Sequence, residues 1–306
     1  MTGNERDYIG YAERVPGITW PDGRRVAVSL VVNYEEGSER SVDAGDEVDE
    51  SGMGEFGNFS TRAPNGRDMT SGSLFEYGSR AGVWRLLKIF ERQQVPATIF
   101  ACAVAFERHP ELARAFVARG HEICTHGYRW EDHYAFSPDE ERKRIRMSLD
   151  SLERTSGQRP VGIFVNRGMT DHTRRIIVEE GLIYDSNSYS DDVPYYVRVG
   201  DRDHLVVPYA GDTNDVRFWV TPGFITGEHY ASYLCETLDA LLAEAVTSPR
   251  MMSVGLHVRI TGRPARARAL ERFIAHAKSK TGVWFARRVD IARWWLEHVK
   301  PRQAQA

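Results

Sequence analysis

Cysteine is scarce in this chain: Cys102, Cys124 and Cys235 are the only three in 306 residues, an odd number with no C-x-x-C spacing. That excludes a disulfide framework and a four-thiolate metal site, and leaves three reduced residues within apolar runs. An excess of positive charge is also missing. The formal net charge is -3, so neither nucleic acid nor acidic lipid is expected as a partner. The basic run Arg142-Lys143-Arg144 and the arginines at 259, 263, 266, 268 and 272 read as solvated helix surface, and Trp84, Trp284, Trp294 and Trp295 read as packing. No apolar run reaches the ~20 residues a membrane helix needs, and Met1 to Gly17 holds no core of a secretion signal. The expected compartment is the cytoplasm. Internal repeats and low-complexity tracts are absent as well.

The most informative absence is a single imidazole. In Gly120 to Asp132, GHEICTHGYRWED, His126 begins an H-x-x-x-H spacing, but Trp130 stands where the second histidine would close it. A catalytic zinc site needs three protein ligands and an open position. If no metal is held, side chains alone must generate the nucleophile.

What is present is a regular alternation. Eight apolar, β-rich runs (26–33, 95–103, 121–125, 161–165, 182–186, 205–209, 251–258 and 283–286) are separated by helical patterns. Ser137-Pro138-Asp139-Glu140 is a capping box with proline at the first helical position, predicting a helix through about residue 155; a second helix is expected to open at Thr170 and end at Gly181. Strands this apolar, spaced by helices, predict parallel pairing buried on both faces, and eight units suggest closure into a barrel. The expected organisation is one domain over 1–306, with a core of about 25–297. Residues 37–77, rich in Gly, Ser and acids, have no sustained period and read as a lid or subunit contact over the pocket.

In such a barrel the chemistry gathers in the loops after the strands, which brings Glu35, His126, Arg167 and His257 towards one mouth. Of the adjacent acids Glu35 and Glu36, extended-chain alternation lets only one point inward, and Glu35 is the choice. His257 is a candidate acid for a leaving nitrogen, since its ordinary pKa lies near operating pH. Trp130, His133, Tyr189 and Glu36 complete the expected pocket, with His133 also the candidate to replace the lost imidazole.

The motifs NYEEG (33–37), HGYRW (126–130), TRRIIVEEGLIYDSNSYSDDVPYY (173–196), NDVRFW (214–219) and SVGLHVRITGRPAR (253–266) together resemble the polysaccharide deacetylase, or NodB-homology, superfamily. Within it they resemble the branch of metal-independent allantoinases and cyclic imide hydrolases. The resemblance spans about 25–297 and implies a distorted (β/α) barrel, a homotetramer and a small-molecule substrate. It matches His257 to the family's later active-site histidine and Arg167 to an arginine of that branch. Metal-dependent members carry an Asp-Asp pair and a second histidine, where this chain has Glu35, Glu36 and Trp130.

Two functions follow. The first is ring opening of an allantoin-, hydantoin- or succinimide-like substrate without a cofactor. Glu35, helped by His126, would take a proton from water, backbone N–H groups near the first-strand turn would hold the oxyanion, and His257 would protonate the nitrogen, with the two histidines exchangeable. Zinc lowers the pKa of bound water from about 15.7 to about 7; side-chain base catalysis gives roughly 10²–10⁴-fold and an oxyanion donor roughly 10²–10³-fold, which suits an already electrophilic carbonyl. The second is a zinc-dependent N-deacetylase of amino sugars or polysaccharide.

Overall fold

The computed structural model describes residues 6–52, 55, 61–166 and 168–301. Among these, nine strands join one sheet: β1 (Val26–Tyr34), β2 (Thr98–Ala101), β3 (Glu122–Thr125), β4 (Gly162–Ile163), β5 (Tyr184–Asp185), β6 (Tyr195–Val199), β7 (Arg202–Val206), β8 (Arg250–His257) and β9 (Val283–Phe285). All eight apolar runs contribute a strand. The sheet runs in the order β6-β7-β5-β4-β3-β2-β1-β8, and every pairing is parallel except β6 with β7. Along one side of β1, β9 pairs its first three residues and β2 its last four. The helices are α1 (Met69–Tyr77), α2 (Val83–Gln93), α3 (Ala103–Arg108), α4 (Pro110–Ala118), α5 (Pro138–Ser156), α6 (Thr173–Glu179), α7 (Gly227–Glu244), α8 (Pro264–Ser279) and α9 (Arg288–His298).

The fold is the expected distorted α/β barrel, but its hydrogen-bonded path is open, with β8 at one end and the β6–β7 hairpin at the other. Side chains bridge the seam that backbone pairing leaves. The buried Arg288 donates to Ser186 Oγ at 2.8 Å, to Ser253 Oγ at 2.9 Å and to the Pro208 carbonyl at 2.6 Å, tying β8 to the segment after β7. A planar guanidinium with five donors suits such a junction of carbonyls and hydroxyls.

Alternation on β1 sorts the two faces. Val26, Val28, Leu30, Val32 and Tyr34 pack outward against the helices, whereas Ala27 and Val31 belong to the inner cluster with Phe100, Cys124 and Tyr209. The same alternation sends Met252, Val254 and Leu256 of β8, and Val258 just after it, outward. Inward-facing Gly255 makes room for its neighbours, since a Cβ there would lie 2.4 Å from Tyr209 Oη and 2.5 Å from Asn214 Nδ2.

Local boundaries mostly follow the caps. Ser137 Oγ accepts from Glu140 N at 3.4 Å and α5 runs to Ser156. Helix α6 begins at Thr173 and not at Thr170, because Thr170 is drawn into side-chain hydrogen bonds with Thr173 and Glu141. The 37–77 segment, whose residues 53–54 and 56–60 lie outside the described set, is less irregular than expected: it contains a short 3-10 turn at Val42–Ala44 and all of α1.

Candidate active site

Strand register brings the site together. Asn33 on β1 is level with His257 on β8, and continuing the parallel register by two residues sets Glu35 beside Arg259. Glu35 and Arg259 each lie two residues beyond an inward-facing position, so both enter the barrel mouth. Glu36 falls on the outer face and borders a cavity of about 380 Å³ beneath the 37–77 segment. There Gly78 is required, since a Cβ would lie 2.6 Å from Glu36 Oε1.

At the centre is a buried five-group ionic cluster. Glu35 Oε1 is 3.1 Å from His126 Nε2, and Glu35 Oε2 is 2.9 Å from Arg259 Nη2 and 4.0 Å from His257 Nε2. The other arm of Arg259 donates to Glu36 Oε1 at 3.1 Å. Burial alone would raise the Glu35 carboxyl, but Arg259, followed by His126 and His257, overrides it and holds the group well below the usual carboxylate range. Glu36 differs. Burial lifts it to about 7; Arg259 pulls it back, while the charge of Glu35 pushes it further up. Burial opposes the charge of Arg259 too, yet the two glutamates hold it above an ordinary arginine.

The protons on His126 follow from its partners. Nδ1 lies 2.7 Å from the Phe164 carbonyl, which can only accept, and Nε2 faces a carboxylate. A proton on Nδ1 serves the carbonyl, and Nε2 pairs with Glu35. The ring is also stacked on Phe164, with centroids 5.3 Å apart. His126 positions Glu35 more than it exchanges protons.

His257 is arranged differently. Its Nδ1 lies 2.7 Å from Asp215 Oδ1, and Asp215 Oδ2 accepts from the His257 N–H at 2.7 Å and from Thr261 Oγ1 at 2.6 Å. With Nδ1 committed, Nε2 faces the mouth and is the nitrogen able to take or give a proton. Burial disfavours the imidazolium, but Asp215 and then Glu35 outweigh it and raise the pKa above 6.5. Asp215 was passed over within NDVRFW; its cue is an acid in a buried 3-10 turn capped by Asn214, visible only once the turn is folded.

Trp130 is 6% exposed, and its ring faces the guanidinium instead of lying at a ligand position. Phe75, Trp130 and Trp219 surround Arg259, whose Cζ is 4.6, 5.9 and 5.4 Å from their ring centroids. This corrects the reading of Arg259 as helix surface: it is 2% exposed and precedes α8 by five positions. Its spacing of two from His257 on a buried strand was the available cue.

At the turn after β1, Glu35 N donates to Glu36 Oε2, Gly37 N to Glu39 Oε2 and Ser38 N to the Glu35 carbonyl, so these three amides are paired within the turn. One further expectation is corrected. His133 bonds Glu141 Oε1 at 2.9 Å, and the structure does not bring it to Glu35 or His126. Tyr189 is 63% exposed, and its ring lies 6.1 Å from that of Tyr209 between centroids. Arg167 lies outside the described residues. Among the described residues, no three His, Cys, Asp or Glu side chains are grouped so as to hold a metal ion.

Residues 64–181 match the polysaccharide deacetylase family. A Schizosaccharomyces pombe protein assigned to the polysaccharide deacetylases is 36% identical over 309 residues, covering 95% of this chain and 96% of that one. Among solved structures, a Pseudomonas aeruginosa PAO1 protein assigned to the same class is 48% identical with a TM-score of 0.91, and PuuE allantoinase is 46% identical with a TM-score of 0.92. Both alignments cover 97% of this chain and 99% of the other. Fold and likeness define a hydrolase acting on carbon–nitrogen bonds other than peptide bonds. The chain belongs to the polysaccharide deacetylase family, in the part of it that includes the PuuE allantoinase.

Proposed function

We propose that this protein opens the ring of a cyclic amide, ureide or imide, of the allantoin, hydantoin or succinimide type, by acid–base attack of water without a resident metal. The observation that carries the reading is the buried guanidinium of Arg259 set between Glu35 and Glu36. The zinc that the wider family implies does not fit these residues. Glu35 already has a permanent cation 2.9 Å from one oxygen and His126 on the other, and the third ligand position holds an indole. Likeness to an allantoinase at 46% identity supports the same substrate class.

The residues divide the work as follows. Glu35, kept ionised, and His257 Nε2 are 4.0 Å apart, a spacing that lets one water donate to both. A base is most effective when its pKa lies near operating pH, so His257 and not Glu35 takes the proton. The water oxygen bonds to the ring carbonyl carbon and its proton passes to His257. As the carbon–nitrogen bond breaks, its electron pair goes to nitrogen, and His257 returns the proton there. Asp215 holds the ring in the tautomer this requires. Trp130 and Tyr189 are proposed as pocket walls, Arg167 as a substrate-side residue, and Glu36 and His133 as supporting residues behind Arg259 and Glu141.

A second reading, a zinc-dependent N-deacetylase of amino sugars or polysaccharide, is favoured by the family match over 64–181 and by the S. pombe relative. The test is turnover of allantoin, hydantoins, dihydropyrimidines and succinimide, with and without a chelator. Ring opening that survives chelation supports the first reading; deacetylation that is lost and then restored by zinc supports the second. The proposed assembly is a cytoplasmic homotetramer, which light scattering would test. None of the described helices is long and apolar enough to cross a membrane.

A further inference from the structure

We infer that Asn166 supplies the hydrogen bond that stabilises the oxyanion, its side-chain amide donating to the substrate carbonyl oxygen. The inference rests on the ring-opening reading, for which the amides of Glu35, Gly37 and Ser38 are already paired within their own turn.

Asn166 is 6% exposed and its Nδ2 has no hydrogen-bond partner. A buried donor left unpaired is costly to a folded protein, and such groups are few in native structures. Its placement says what it serves. Ile163 and Val165 pack outward in a cluster with Ile145, Leu149 and Ile176, while Phe164 points into the barrel and stacks on His126. Two residues beyond Phe164, in the turn that follows β4, Asn166 continues the segment that leaves the sheet beside His126.

The backbone that carries Asn166 is held from both sides. Phe164 N donates to the Thr125 carbonyl at 2.9 Å, and the Phe164 carbonyl receives His126 Nδ1. The side chain of Asn187 clamps Val165, accepting from its N–H at 2.8 Å and donating to its carbonyl at 2.9 Å. A backbone held in this way limits how far the amide must move when charge develops on the carbonyl oxygen. When water adds, the carbonyl π pair moves onto oxygen and Nδ2–H bonds to it. As the carbon–nitrogen bond breaks, the pair returns to re-form the carbonyl, and no proton leaves Asn166.

The experiment compares Asn166→Ala and Asn166→Leu with wild type, reading kcat and KM on a ring substrate that the wild type opens and Tm by thermal unfolding. The expected result is a kcat lower by about 10²–10³-fold with little change in KM. The Tm of Asn166→Leu should equal or exceed that of wild type, because an unpaired amide has been removed from a buried place. A kcat within a few-fold of wild type overturns the inference, as does a Tm that falls in both variants, which marks Asn166 as structural. If the wild type opens no ring in the panel, it is the ring-opening reading that fails. The Tm comparison still decides whether the amide is held in reserve for a ligand, with retention supporting it and a fall overturning it.

Discussion

Arg259 spans two acids that leave β1 on opposite faces, with Nη2 2.9 Å from Glu35 Oε2 and Nη1 3.1 Å from Glu36 Oε1. Adjacent glutamates buried together would repel, and the guanidinium between them lets at least one remain charged inside the protein. Removing one partner of a buried ionic group is far worse than never having it. Arg259→Met is therefore expected to destabilise the fold by roughly 3–5 kcal/mol in urea unfolding. Arg259→Lys, which keeps the charge but lacks the fork, should fold and yet lose most of its turnover. A lysine variant with wild-type kcat would show that the bidentate geometry is dispensable.

The pH dependence follows from the Asp215–His257 pair. His257 acts first as a base, so it must be neutral to start, and kcat/KM should fall as pH drops through its raised pKa, above 6.5. Asp215→Asn removes the largest influence that raises it. The acid limb should then move to lower pH, and the plateau should drop by about 10²–10⁴-fold because the tautomer is no longer fixed. An acid limb that stays put would assign it to another group. For stability the sign is opposite: the contribution of charged His257 is full below about 6.5 and lost as pH rises through the folded value.

Trp130→His restores the H-x-x-x-H spacing without removing Arg259. The purified variant should still contain well under one metal per chain by elemental analysis, since a divalent ion at Glu35 would sit beside a buried guanidinium. Stoichiometric zinc in this single variant would show that the indole alone had kept the metal out.

Glu141 ties two mouth segments to α5. It is fully buried and accepts from His133 Nδ1 at 2.9 Å, Thr170 Oγ1 at 2.8 Å and Thr173 Oγ1 at 2.6 Å, with His172 Nε2 3.1 Å away. Glu141→Leu strands these donors and is expected to cost roughly 3 kcal/mol, with kcat falling more than KM rises as the segments around His126 and Asn166 loosen. Unfolding and kinetics on the same preparation would check both. An unchanged unfolding midpoint would exclude Glu141 as the tie.

Strands were legible because eight of the nine overlap apolar runs, most of them buried throughout, and period-two alternation separated Glu35, which meets His126 and His257, from Glu36. Strand β6 was not, because YYVRV is only partly buried and pairs antiparallel at the sheet's end, where little burial marks it. His126 and His257 could be read from their strand ends. Their partners could not: Asp215 is 42 residues from His257 and Glu35 is 91 from His126, separations that only the folded register closes. Arg259 was hidden by company, since the arginines that follow it on α8 suggested a shared role as surface charge. Spent amides at the β1 turn and the pairing of His133 with Glu141 depend on local geometry that residue types do not encode.

The most direct measurement is ring opening of the cyclic-amide panel by protein stripped exhaustively of metal, followed by product mass spectrometry and assayed in parallel against an N-acetylated amino sugar. Undiminished formation of the ring-opened acid, with no acetate released, is the expected result. Loss of all turnover on stripping, restored by zinc and accompanied by acetate release, would contradict it.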